Sequence, residues 1–226
     1  MHLNDFYKTS LGITFLNIEK KFIYDSIDEV FGFYAIQVGA WSYDFLNSNR
    51  IKDKFVVDKF SSDIIAESYS LPLESDSVDL LVAPHILDFS IYPQESLREI
   101  IRVLKPGGHL VFTLFNYYSL FSIFNFLRSN HYKIINNKNT VSRIKDWLKL
   151  LNVRLVSSKL GFYNLPVENN NLINKFIFLE HVCQRWLPFT GSIIMMHGVK
   201  TISSINLIKP SWNKKFKKKE KLSTVR

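Results

Sequence analysis

Cysteine is nearly absent from this sequence, since Cys183 is the only one among 226 residues. A single thiol excludes an intramolecular disulfide and a metal cluster built from cysteines alone. The hydrophobic fraction of 46% is nevertheless ample for a buried core. We therefore expect a chain that folds by burying apolar surface in a reducing compartment, with the cytoplasm as its expected location.

Long hydrophobic runs are also missing. A spanning helix needs about 20 apolar residues, and the nearest stretch, residues 117–127, is shorter and carries two Ser and one Asn. The N-terminus lacks a positive start followed by an uninterrupted apolar stretch, so no signal peptide is expected. The sequence predicts no transmembrane segment.

Several catalytic motifs do not occur. There is no G-x-S-x-G, P-loop or G-x-G-x-x-G, so hydrolase, NTPase and dinucleotide-binding functions lack their usual motifs. The histidines show no paired spacing typical of metal ligands, and no metal site is predicted. These histidines are His2, His85, His109, His131, His181 and His197.

Positive charge is concentrated at the C-terminus. Residues 209–226 contain seven Lys, one Arg and one Glu, a net charge of +7 out of the whole chain's +9. Such a tail would contact nucleic acid or an anionic surface. The alternative is a disordered, solubilising terminus, although Trp212 and Phe216 among the lysines suit stacking or insertion.

Short apolar runs alternate with helical patterns along the body of the chain. Residues 93–108 give the clearest helix, because Leu97, Ile100, Ile101 and Leu104 form one apolar face. Pro106 and Gly107, near the end of this stretch, predict that the helix stops there. Strands are predicted at 33–40, 54–60, 78–87, 109–115, 153–165 and 192–205, helical turns at 41–49, and further helices at 142–152 and 171–187.

This alternation predicts an α/β fold with an open, mostly parallel sheet. The domain limits we predict are a helical or extended N-terminal segment (1–32), an α/β domain (33–208) and a basic tail (209–226). The last two extended segments are expected to form an antiparallel pair at one edge.

Residues 33–116 resemble class I S-adenosylmethionine-dependent methyltransferases, of the type 11-like group. The resemblance rests on the Leu-Pro-Leu turn (71–73), Ser77-Val78-Asp79, His85 and the Arg-Val-Leu-Lys-Pro-Gly-Gly stretch (102–108). More narrowly, the chain resembles a little-characterised bacterial, YafS-like branch. The features shared with that branch are Asn116, Asp146-Trp147-Leu148, Leu165-Pro166 and a basic tail.

The resemblance implies a Rossmann-like sheet of about seven strands, with an antiparallel last strand and helices on both faces. It also implies S-adenosylmethionine as cofactor, bound at the carboxyl ends of the early strands. In that site, Gly39 would let the backbone approach the cofactor, and Asp58 would accept hydrogen bonds from the ribose. Glu67, Ser68 and Tyr69 would surround the adenine. The alternatives for Asp58 and Glu67 are solvated surface acids.

One loop departs from the family pattern of an acidic residue followed by three spaced glycines. Here the loop begins at Gln37 and keeps one glycine, Gly39, followed by Ala40 and Trp41. Trp41 would either occupy the methionine slot or form a wall of the site.

The resemblance places His85 and Asn116 at the same rim as candidate catalytic groups, and His85 also as a candidate cofactor contact. A histidine has a suitable pKa for a general base. The alternatives are a histidine that satisfies a backbone carbonyl and an asparagine that caps a helix beginning at Tyr117.

Two functions follow. The first is methyl transfer to an acceptor that the sequence does not specify. The second is a cofactor-free scaffold of the same fold, which binds nucleic acid through its basic tail.

Overall fold

The structure, a computed structural model, describes residues 3–119, 121–123, 137, 140–163 and 188–201. The strands are β1 (Tyr34–Val38), β2 (Asp53–Asp58), β3 (Ile64–Ile65), β4 (Val78–Pro84), β5 (Leu104–Phe115), β6 (Val153–Gly161) and β7 (Ile193–Lys200). The helices are α1 (Leu3–Tyr7), α2 (Ser10–Ile27), α3 (Ile86–Phe89), α4 (Pro93–Val103) and α5 (Val141–Leu150). The predicted helix at 171–187, the Leu165-Pro166 turn and the tail lie outside the described residues.

All seven strands belong to one sheet, in the order β3-β2-β1-β4-β5-β7-β6. The first five strands pair in parallel. β7 lies between β5 and β6 and is antiparallel to both. The structure therefore confirms the α/β class, the seven-stranded Rossmann-like sheet and the antiparallel pair at its edge.

Helices cover both faces of the sheet, as expected. On one face, Phe6 of α1 and Phe15 of α2 pack against Phe115 of β5. On the other, Leu97 of α4 and Leu148 of α5 belong to a second buried cluster. The N-terminal helices thus share a core with the strands, and their buried aromatic rings explain why they dock there.

No helix in the described parts of the chain is long and apolar enough to cross a membrane.

Two local predictions are wrong. Helix α4 ends at Val103, because Leu104 already has an extended backbone and pairs with Val78 of β4. Pairing resumes between Leu80 and His109, so the Lys-Pro-Gly-Gly stretch bulges out within β5 instead of forming a helix end. Residues 41–49 form turns and bends, not helical turns.

Candidate functional site

A groove opens where β1, β2 and β4 end. It consists of two adjoining cavities of about 310 Å³ and about 370 Å³. Both are lined by Gly39 after β1 and by Asp58 at the end of β2. Open α/β sheets bind ligands outside the carboxyl ends of their strands, so the groove lies where the sequence predicts the site.

The turn after β1 has a backbone that few residues adopt. Gly39 has φ = 86° and Ala40 has φ = 52°. The Gly39 N–H donates to the Val57 carbonyl at 2.8 Å, which ties the turn to β2. A Cβ at position 39 would lie 3.3 Å from Ile86 Cδ1. Glycine therefore meets both the positive φ and the tight packing at this wall of the groove.

Gln37 organises the same loop, a role that the sequence analysis missed. Its side chain is fully buried at the end of β1. Nε2 donates to the carbonyl oxygens of Gly39, Ala40 and Tyr43, at 3.0, 3.2 and 2.8 Å. Oε1 accepts from the Phe45 N–H at 3.0 Å. A carboxylate cannot donate to carbonyls, so this loop path requires an amide where the family pattern has an acid.

Asp58 lies between the two cavities. Burial raises the pKa of its carboxyl above the usual value, and the backbone N–H groups of Phe60, Lys59 and Trp41 oppose that rise. The bond from Phe60 N to Oδ1 is 3.1 Å long. These contacts fix the carboxylate at the groove, where it can accept hydrogen bonds from a ligand.

The three residues predicted to surround adenine are only partly brought together. Glu67 and Ser68 line the second cavity. Glu67 also forms an ion pair with Lys59 at 2.6 Å. Tyr69 is not among the lining residues of either cavity and instead packs edge-on against Tyr92.

Ser68 is held by two other serines. Its Oγ lies 2.8 Å from Ser96 Oγ, which in turn lies 2.6 Å from Ser90 Oγ. Ser90 lines the same cavity, and Ser96 lies in the first turn of α4. The cluster gives this side of the groove a fixed, uncharged polar surface.

The first cavity is closed on one side by α1. Asn4 of α1 and Lys8 just after it line this cavity together with Trp41. Trp41 is 42% exposed and forms part of the wall, so space remains in the cavity beside it. Asn4 Oδ1 is buried and has no hydrogen-bond partner within the described residues. The N-terminal helices thus contribute to a site that the sequence analysis built from strand ends alone.

His85 follows β4 and is completely buried, with φ = 52°. Its Nε2 lies 2.6 Å from Glu19 Oε1 of α2, and its Nδ1 lies 2.8 Å from Asp88 Oδ2. Tyr7 of α1 donates to the other Glu19 oxygen at 2.5 Å. Asp88 Oδ2 also accepts from the Phe115 N–H at 2.8 Å. The four side chains form one buried network next to the first cavity.

The network determines the charge of His85. Burial alone would lower the pKa of the imidazole, but the charge of Glu19 and the hydrogen bonds to Asp88 and Glu19 raise it to about 9. His85 is therefore protonated at neutral pH, with both ring nitrogens donating to carboxylates. His85 borders the first cavity, but a protonated imidazole without exposed surface cannot accept a proton from a substrate. This geometry favours a structural His85 over the predicted general base.

Asn116 has a structural environment too. Its side chain is buried, and Nδ2 donates to the carbonyl oxygens of Phe189 and Gly191, both at 2.8 Å. Oδ1 accepts from the Tyr118 N–H at 3.2 Å. With its polar atoms engaged, Asn116 has a structural role, but the predicted helix beginning at Tyr117 is wrong, because residues 117–119 form a turn and a bend that Asn116 Oδ1 helps to close.

No group of three or more His, Cys, Asp or Glu among the described residues is placed to hold a metal ion.

Comparisons with known proteins agree with this geometry. Residues 40–112 match the family model described as a methyltransferase domain. The fold resembles a solved complex of the Haloferax volcanii Trm112 methyltransferase activator with a methyltransferase, at 15% identity and a TM-score of 0.61, covering 82% of this chain and 90% of that chain. It also resembles a SAM-dependent methyltransferase from Thermotoga maritima, at 15% identity and a TM-score of 0.54, covering 83% and 97%.

The same fold occurs in the [4+2]-cyclase SpnF, at 14% identity and a TM-score of 0.55, covering 81% of this chain and 80% of that chain. No curated protein matches this sequence. The sheet order and the groove define a class I methyltransferase fold. The match to the methyltransferase domain model covers 73 of the 226 residues, and the solved structures show that the fold of the chain is that of methyltransferases. The narrower YafS-like assignment remains a prediction.

Proposed function

We propose that this protein transfers a methyl group from S-adenosylmethionine, bound in the groove that Gly39 and Asp58 line. The observation that carries the proposal is the position of Asp58, a hydrogen-bonded carboxylate between two adjoining cavities at the strand ends. A ribose needs a carboxylate acceptor there, with space on both sides for the adenine and the methionine moiety. The residues present therefore fit this cofactor.

On the adenine side, we assign cofactor contacts to Glu67 and Ser68, which line the second cavity. On the methionine side we assign them to Ala40, Trp41 and Asn4, which line the first. The unpaired Oδ1 of Asn4 can accept a hydrogen bond from an ammonium group. Tyr69, His85 and Asn116 are left out, because their side chains are engaged elsewhere.

When bound, the cofactor supplies an activated methyl group on a sulfonium cation. The chain would orient the cofactor and exclude water from it, since the apolar side chains of Phe60, Ile86 and Phe89 line both cavities. Holding two reactants in line lowers the activation barrier by up to about 7–11 kcal/mol. This contribution to the rate does not require His85 to accept a proton. The acceptor is not specified, and cytoplasmic location remains a prediction.

Calorimetric titration with S-adenosylmethionine tests the proposal. We expect binding by the wild-type protein and at least a tenfold higher Kd for Asp58→Asn. Asp53→Asn is the matched control, because Asp53 lies at the opposite, exposed end of the same strand and outside both cavities. No binding by the wild-type protein at millimolar cofactor would support the scaffold function instead.

A further inference from the structure

Two short helices line the first cavity of the groove. Leu3 and Asn4 of α1 contribute to it, and so do Ile86 and Phe89 of α3. The helices contain five and four residues. Helices of this length are not stable by themselves in water, so contacts with the rest of the chain must hold each of them in place.

One buried pair, Glu19 and His85, contacts both of these helices. Tyr7 of α1 donates to Glu19 Oε2 at 2.5 Å, and Glu19 Oε1 lies 2.6 Å from His85 Nε2. His85 Nδ1 lies 2.8 Å from Asp88 Oδ2 of α3. A change at Glu19 therefore reaches α1 directly and reaches α3 through a single imidazole ring.

His85 has a backbone conformation that requires such contacts. It directly precedes α3 with φ = 52° and ψ = 15°, in the left-handed region that residues other than glycine rarely adopt. A strained residue of this kind persists only where its surroundings hold it. The next residue, Ile86, packs against Gly39, since a Cβ at position 39 would lie 3.3 Å from Ile86 Cδ1. Relaxation at His85 would therefore move the wall of the groove.

We propose that Glu19 is a positioning residue for the cofactor: through Tyr7 and His85 it holds α1 and α3 where the methionine side of the cofactor needs them. Glu19 is completely buried and lines neither cavity, so it acts without touching the cofactor. This inference rests on the proposed function, because it concerns the same groove.

The charge of His85 makes this arrangement dependent on pH. Among the described residues, the titratable groups that face the imidazole are Tyr7 of α1, Glu19 of α2 and Asp88 of α3, while β5 presents the apolar ring of Phe115. Burial lowers the pKa of His85, but the charge of Glu19 and the hydrogen bonds to Asp88 and Glu19 raise it to about 9. A neutral imidazole donates from one nitrogen only. Above this pKa, one carboxylate therefore loses its imidazole donor.

Calorimetric titration with S-adenosylmethionine at pH 7.5 tests the role of Glu19. We expect Glu19→Gln, which keeps the size of the side chain and removes its charge, to raise Kd at least fivefold. Leu148→Ala is the matched control, because Leu148 is buried in the second cluster and lies outside both cavities. It also destabilises the protein, but wild-type affinity is expected. Circular dichroism verifies that each variant is folded.

Methyl NMR of the protein without cofactor gives a second readout, one that a general loss of stability would not move. The methyl signals of Leu3 and Ile86 should shift with pH around a midpoint near 9, as His85 loses its proton. In Glu19→Gln that midpoint should fall, whereas Leu148→Ala should keep the wild-type midpoint. Methyl signals that do not change between pH 7.5 and 10 would overturn the proposal.

The calorimetric results separate this inference from the proposed function. Absence of cofactor binding by the wild-type protein overturns both. Binding by the wild-type protein with the same Kd for Glu19→Gln overturns the positioning role alone, and so does an equal loss of affinity in Glu19→Gln and Leu148→Ala.

Discussion

Glu19 Oε1 lies 2.6 Å from His85 Nε2, and this contact joins α2 to the end of β4. Both side chains are fully buried. Asp88 holds the other imidazole nitrogen, and Tyr7 of α1 holds the other Glu19 oxygen. The N-terminal helices are therefore joined through a charged core network to the strand end that borders the groove.

The first prediction concerns the pH dependence of stability. An unfolded histidine has a pKa near 6.5, whereas that of His85 in the folded protein is about 9. Its contribution is complete below pH 6.5 and is lost as the pH rises through 9, a decrease of about 3 kcal/mol in the free energy of unfolding. Urea unfolding between pH 6.5 and 9.5 measures it.

The variant Glu19→Gln provides the comparison for this pH series. It should flatten the decrease, because the main charge that raises the pKa of His85 is gone. NMR of the imidazole gives an independent readout. An imidazole that titrates near pH 6.5 in the folded wild-type protein would contradict the network.

The second prediction concerns Gln37. Gln37→Glu would place a carboxylate against three carbonyl oxygens in a buried site. We expect a loss of about 2–4 kcal/mol in the free energy of unfolding, because a buried, unpaired charge is costly. Chemical denaturation measures it, with Gln94→Glu on the exposed face of α4 as control. Equal stabilities of the two variants would argue against the role of the amide.

The third prediction separates backbone strain from cofactor binding. Gly39 and Gly107 both have positive φ, at 86° and 83°, so alanine should cost about 1 kcal/mol at either position. Only position 39 lines the groove, whereas a Cβ at position 107 meets nothing within 4 Å. Gly39→Ala should therefore weaken cofactor binding at least fivefold and Gly107→Ala should not. Calorimetry on both variants decides this, and a similar loss in both would point to a general folding effect.

The fourth prediction concerns acid stability. His109 Nδ1 lies 2.9 Å from His197 Nε2 across β5 and β7. Burial lowers the pKa of both rings, and with His109 nearby that of His197 falls to about 4. The unfolded chain takes up these protons first, so stability should fall by about 2 kcal/mol as the pH drops from 6.5 to 4. Unfolding of wild type and His197→Asn over this range measures it; identical pH profiles would show that the pair does not titrate this way.

The sequence alone was sufficient to predict where the groove lies and that Gly39 and Asp58 line it. Gly39 and Asp58 follow short apolar runs, and parallel strands bring their carboxyl ends to one edge. The position of the groove was therefore predictable. Pro106 and Gly107 were predicted to end the helix. That prediction was wrong because the pairing of Leu104 with Val78 depends on a strand distant in sequence.

The roles of Glu19 and Gln37 depend on contacts that spacing does not specify. Glu19 is 66 residues from its partner His85. One signal was present, since Glu19 falls four residues after Phe15 and four before Ile23, on the apolar face of α2. A carboxylate on such a face requires a buried partner. Gln37 gave no comparable signal, because the path of the loop that it bonds is set only in the folded chain.

NMR titration of isotope-labelled protein with S-adenosylmethionine tests the central claim most directly. The account predicts saturable shifts in the backbone amide signals of Gly39, Asp58 and Ser68, with the signals of Asn152 and Arg154 at the opposite end of the sheet unchanged. Unshifted groove signals at millimolar cofactor, or shifts confined to residues outside the groove, would contradict it.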